Sequence, residues 1–145
     1  MSAANVVSHY IEDLTIGQSA SYERTVSADD IQKFGEVSGD FNPLHFDDEY
    51  AKGTIFRGRI AHGMLSLSYL STVLGTKLPG AGSIFMSATT RFKAPVRIGD
   101  TVKAVCTVRE IDVAKKRVTF DCLCKVGDIV VVEGEALVRV PSREH

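Results

Sequence analysis

Asp40 and His45 stand five residues apart, with Gly39 in front of them and Asn42 and Pro43 between. A carboxylate and an imidazole so placed can divide the work of moving a proton near neutral pH. Pro43 fixes one backbone angle, and Gly39 lets the chain turn sharply before Asp40. A loop that stiff could aim both side chains at one small volume, which is the preorganisation that acid–base catalysis needs. The same residues also serve plain turns. An Asx-turn accounts for Asp40 and Asn42 without chemistry, and His45 works equally as a hydrogen-bonded core histidine. Spacing alone leaves both readings open.

A second feature bears on the choice. Ala61-His62-Gly63-Met64 opens a strongly apolar stretch that reads as a helix. The first turn of a helix carries unpaired backbone N–H groups and the positive end of the helix dipole. Gly63 has no side chain, so its N–H is open to close approach and could bind a carbonyl oxygen as it gains negative charge. The alternative use of Gly63 is tight packing of helix on sheet.

The elements that must hold these groups follow from patterning. Ser19–Val26 is a short strand. Ser27 is an N-cap with Asp29 and Asp30 in the first turn, followed by Ile31, Phe34 and Val37 along a helix that ends near Gly39. Residues 39–60 read as irregular, with a short helical piece around Asp48–Lys52; a segment that long is usually functional. His62–Gly75 is a helix apolar almost all round, hence buried, with Gly75 as its stop. Ser83–Phe92, Thr101–Ile111, Arg117–Val126 and Ile129–Val140 read as strands. Val102, Ala104, Cys106 and Val108 alternate inward in one, and Val118, Phe120, Cys122 and Cys124 in the next. Gly127-Asp128 marks a hairpin turn. The plan is α+β: an antiparallel sheet around one buried helix.

Bulk properties narrow the function. The 145 residues fit one domain, 1–145, and need no staple to bury a core. Hydrophobic residues make up 44% and charged residues 24%, with a net charge of −1 and no basic stripe, so nucleic acid is not an expected partner. Cys106, Cys122 and Cys124 are odd in number, which argues against a disulfide framework, and they lack the further ligands of a zinc site. No apolar run reaches a membrane span, and the N-terminus lacks the features of a signal peptide, so a cytoplasmic protein with no membrane association is expected.

The stretch around the pair resembles the signature of (R)-specific enoyl-CoA hydratases, the hydratase 2 or MaoC-like family. That signature takes an aromatic residue, then Gly-Asp-x-Asn-Pro-aliphatic-His, then a small residue. Here these are Phe34, Gly39-Asp40-Phe41-Asn42-Pro43-Leu44-His45 and Ala51. Similarity continues through Ile60–Met64, Leu78-Pro79-Gly80, Phe92–Val96, Gly99-Asp100 and Gly134-Glu135-Ala136, over roughly residues 15–141. It implies a hot-dog fold, a strongly bent antiparallel sheet wrapped around a long central helix. It also implies reversible hydration of a trans-2-enoyl-CoA to the (R)-3-hydroxyacyl-CoA, with no metal and no cofactor. By the same resemblance Asp40 is the main base for the water, His45 holds that water and shares the proton transfer, and the Gly63 N–H steadies the thioester oxygen. Substrate-side positions carried over are Asn42, His62, Ser71, Leu74 and Leu137. Of these, Asn42 leans to orienting the loop and His62 to packing. A homodimer, or a larger homo-oligomer, is implied too. Arg57, Arg59, Lys93 and Arg97 are basic residues that could meet CoA phosphates or simply be solvated.

Alternatives stay open within this picture. The pair would equally serve a dehydratase acting on 3-hydroxyacyl groups of an acyl carrier protein, or a hydratase for a branched dicarboxylic enoyl-CoA. A hot-dog thioesterase usually wants a carboxylate on the central helix, and residues 64–74 have none. A non-catalytic acyl-binding or dimerisation module would not need both Asp40 and His45.

Overall fold

The computed structural model describes residues 6–144. Strand β1 (Ser19–Thr25) leads to helix α1 (Ala28–Ser38), two short helices α2 (Pro43–Phe46) and α3 (Asp48–Lys52), and the central helix α4 (Gly63–Thr76). Strands β2 (Ile84–Phe92), β3 (Thr101–Asp112), β4 (Arg117–Val126) and β5 (Ile129–Arg139) follow. The five strands form one antiparallel sheet in the order β1-β3-β4-β5-β2. Strands β3, β4 and β5 run as a meander, and Gly127-Asp128 turns β4 into β5 as a two-residue hairpin.

Helix α4 packs against all five strands. Five strands side by side span about 19 Å, whereas a helix with its side chains is about 10–12 Å across. One helix can touch every strand only if the sheet curls around it. The core is the contact so made. Val102, Ala104, Cys106 and Val108 of β3 and Val118, Phe120, Cys122 and Cys124 of β4 point inward. They meet Tyr69, Leu70, Val73 and Leu74 of α4. All three cysteines are buried and unpaired.

A bulge matters to the site. Cys124 pairs with Val132 but Lys125 with Val130, so Val131 is an extra residue in β5. Val131 and Val132 are therefore both buried, although strict alternation would expose one.

Helix α1 starts as expected: the Ser27 side chain accepts from the Asp30 N–H, and the Asp30 carboxylate accepts from the Ser27 N–H. It ends at Gly39 in the left-handed conformation, φ 80°. Three expectations need correction. Val37 is 90% exposed; at 100° per residue it lies about 240° around the helix from Ile31, and Gly35 takes the buried position instead. Gly75 does not stop α4, which runs on to Thr76. Leu78 is drawn into the core and Pro79 ends the helix for want of an N–H. Nor is α4 buried all round. Met64, Ser68 and Ser71 form an exposed flank.

Candidate active site

From Gly39 onward each turn is locked by a short-range bond. The Asn42 N–H donates to Asp40 Oδ1 at 3.2 Å, an Asx-turn. The Asn42 side-chain oxygen then accepts from the Leu44 N–H at 3.2 Å and caps α2, with Pro43 in the first helical position. One turn of helix later His45 points into the protein and is 8% exposed. This α2 turn lies inside the segment read from sequence as irregular. Its cap, Asn42, has its side-chain oxygen committed to the backbone, which shapes the loop.

His45 has a defined protonation pattern. Its Nδ1 lies 2.8 Å from the Ile60 carbonyl oxygen. A carbonyl only accepts, so Nδ1 carries the hydrogen and Nε2 keeps its lone pair. Burial lowers the imidazole pKa from its ordinary 6.5, and the neighbouring His62 ring pushes the same way; the Ile60 bond and the Asp40 charge oppose them. His45 is thus neutral near pH 7, in the tautomer of a general base.

His62 precedes α4 and is 2% exposed. Its Nε2 donates to the backbone carbonyl of Asp40 at 2.9 Å, and its ring stacks on His45 with centroids 4.0 Å apart. One polar atom each of Asp40, His45 and His62 falls within 4.8 Å of the others. Two hydrogen bonds of about 2.8 Å meeting at one water oxygen near the tetrahedral angle span about 4.6 Å. The spacing therefore suits a water held jointly by the carboxylate and an imidazole.

Gly63 begins α4, and no acceptor among the described residues takes its N–H. The first turn of α4 contains no acidic residue, so the positive dipole end is uncompensated. Gly63 also meets the packing requirement: a Cβ built there would lie 2.6 and 2.7 Å from two Phe92 ring carbons. Both readings of this glycine are compatible, because the same bareness that admits Phe92 leaves the N–H approachable.

His45, His62 and Gly63 share a cavity of about 500 Å³, with Phe56, Val96 and Val131 among its apolar walls. Asp40 is exposed and is not among the residues that line the cavity. The structure does not bring Ser71, Leu74 or Leu137 to this cavity. Ser71 sits on the exposed flank of α4, about 12 Å along the axis from Gly63. Leu74 is sealed in the core at 1% exposure. Leu137 faces outward, since its neighbours Ala136 and Val138 point inward and strand side chains alternate; it lines an outer groove with Ile16 and Thr119. Of the basic residues, Arg59 donates to the His45 carbonyl at 2.7 Å and Arg97 to the Phe56 carbonyl at 2.7 Å, so both brace the loop. Lys93 pairs with Glu133 at 3.6 Å. Sequence reasoning missed Phe56, Val96 and Val131 as cavity walls. Val96 was in view within the Phe92–Val96 similarity, whereas Val131 depends on a bulge that alternation does not announce.

The chain is similar to several known proteins. The family model described as "MaoC like domain" matches residues 13–129. The chain is 52% identical to an (R)-specific enoyl-CoA hydratase of Rhodospirillum rubrum, over 99% of both chains. It is 44% identical to a 3-hydroxybutyryl-CoA dehydratase of Methylorubrum extorquens, over 94% of this chain and 87% of that one. Among solved structures, the (R)-hydratase from Aeromonas caviae involved in PHA biosynthesis superimposes with a TM-score of 0.86 at 38% identity. That match covers 90% of this chain and 99% of the other.

Proposed function

The chain belongs to the MaoC-like domain family, and from that premise we propose that it is an enoyl-CoA hydratase that adds water reversibly across a trans-2-enoyl-CoA to give the (R)-3-hydroxyacyl-CoA. The observation that supports this reading is the closeness of Asp40 to His45, which lines a cavity together with Gly63. The Asp40 carboxylate lies within 4.8 Å of a buried, neutral imidazole at His45. The unpartnered Gly63 N–H opens on the same cavity as His45.

The steps follow from those groups. Asp40 accepts a proton from the water as its oxygen attacks C3. His45, through the Nε2 lone pair, accepts a hydrogen bond from the same water, and the one proton that the pair takes from that water is returned to C2. Electron density moved onto the thioester oxygen meets the Gly63 N–H at the positive end of α4. One O–H bond and the C2–C3 π bond are lost, and C3–O and C2–H bonds form, so no electrons leave the substrate. The mechanism calls on neither metal nor cofactor. The acyl chain continues into the apolar cavity beside Gly63.

We also read the protein as a cytoplasmic homodimer. Three unpaired thiols suit a reducing compartment, and among the described residues no helix is long and apolar enough to cross a membrane. Strand β2 closes one edge of the sheet and exposes Ile84, Phe85 and Met86. An unpaired edge of nine residues with three exposed apolar side chains at its start is a ready template for a second copy.

The test is direct. Purified protein should consume crotonyl-CoA, seen as loss of enoyl absorbance, and chiral analysis should find the (R)-3-hydroxy product. Release of free CoA from saturated acyl-CoA, without hydration of crotonyl-CoA, would replace this reading with a thioesterase. Turnover confined to acyl-carrier-protein substrates would replace the CoA assignment.

A further inference from the structure

His62 is placed as though packing were not its main task. It occupies the N-cap position of α4, yet its side chain caps nothing there. Instead Nε2 reaches the Asp40 carbonyl, 22 residues earlier, at 2.9 Å. One face of the ring lies on His45, and Phe34 and Phe46 close around it with centroids 4.7 and 5.5 Å away. Because the carbonyl fixes the hydrogen on Nε2, Nδ1 is left with a bare lone pair. That atom is buried and has no partner among the described residues. An unmatched buried acceptor is a cost to the fold. A phenylalanine would fill the same aromatic surroundings without it. The polar ring is retained at a loss, and what it provides in return is one hydrogen bond to Asp40 and one flat surface under His45.

We propose that His62 is a positioning residue of the hydration site. Its Nε2–H holds the backbone that carries the Asp40 carboxylate, its ring face fixes the rotation of His45, and its own peptide unit leads directly into the Gly63 N–H. The three groups of the mechanism, drawn from the turn at Asp40, helix α2 and the start of α4, thereby meet at a single buried residue. This rests on the roles given to Asp40, His45 and Gly63 above.

Three variants separate positioning from packing. H62F keeps an aromatic ring in the pocket and removes the donor. H62Q keeps an N–H that can reach the Asp40 carbonyl. H62M has the length of glutamine without the donor, and repeats the comparison if phenylalanine is not accommodated. For crotonyl-CoA, H62F and H62M should show kcat reduced by about 10- to 100-fold, the scale of a misplacement near 1 Å. KM should stay within about twofold, because a positioning residue acts on the catalytic groups and not on substrate binding. H62Q should recover at least half of that loss on a logarithmic scale. The proposal is overturned if H62F or H62M turns over at the wild-type rate. It is equally overturned if H62Q is no better than H62M, or if lost activity follows lost thermal stability across all three. A wild-type protein inactive on crotonyl-CoA would instead remove the hydratase reading, and this proposal with it.

Discussion

Gly63→Ala puts the two uses of that glycine in conflict and predicts the size of the result. The new Cβ would lie 2.6 and 2.7 Å from Phe92 ring carbons, whereas carbon atoms rest about 3.5–4.0 Å apart. Close to 1 Å must be found by moving Phe92, the start of α4, or both. Phe92 is 55% exposed and has room to move, so the fold should survive, with destabilisation of about 1–3 kcal/mol from overpacking. The N–H at the helix start is less forgiving. A shift near 1 Å in a group that must meet the developing oxyanion costs on the order of 100-fold in rate. We therefore expect kcat for crotonyl-CoA to fall about 100-fold in G63A. Relief of the clash in G63A/F92A should restore about tenfold of that loss. Steady-state hydration kinetics on the two variants, beside urea unfolding, make the comparison. Wild-type kcat in G63A would refute the oxyanion role, and a double variant no better than the single one would refute the steric cause.

Further predictions rest on other parts of the structure. Because burial lowers the His45 pKa below 6.5, the neutral base persists through neutral pH, and the acid limb of kcat/KM for hydration should fall below pH 6.5; an acid limb centred above pH 7 would contradict the burial argument. The sign for stability is the same. The native state binds fewer protons at His45 than the unfolded chain, so this contribution is present above pH 6.5 and is lost as pH falls from 6.5 to the folded pKa, which urea melts across that window will register. Val131→Phe, which narrows the cavity, should raise KM for hexenoyl- and octenoyl-CoA more than for crotonyl-CoA, whereas Leu137→Phe on the outer groove should leave that ratio unchanged. Ser27→Ala removes the cap of α1 and should lower unfolding free energy by about 1 kcal/mol with hydration kinetics preserved.

Much of the fold was legible because its signals are local and periodic. Alternation in Thr101–Ile111 and Arg117–Val126 placed the inward faces of β3 and β4, and a capping serine with acidic neighbours located α1. One error arose where tertiary contact overrides local pattern, and another from the helical period itself. Gly75 looks like a stop, but the pull of Leu78 into the core carries α4 past it. Val37 was grouped with Ile31 by a spacing that returns to the wrong side of the helix. Within the site, the pair Asp40 and His45 was visible as a rigid spacing, and Gly63 as a helix opening. Their convergence was not, since it depends on the His45–Ile60 and His62–Asp40 bonds between segments 15 and 22 residues apart. Leu137 shows the reverse case: a position carried over by resemblance meets an alternation that turns it outward, away from the cavity.

The central claim is that Asp40 and His45 act on one water. Turnover of crotonyl-CoA by Asp40→Asn and His45→Gln tests it most directly, since each substitution keeps size and removes the capacity to take a proton. General acid–base groups of this kind contribute about 10²–10⁴-fold. The account predicts a kcat loss of at least 100-fold in each variant. It also predicts that the double variant will be little worse than the poorer single one, because residues acting as a unit are not additive. Either variant hydrating crotonyl-CoA at a near-normal rate while folded would contradict it.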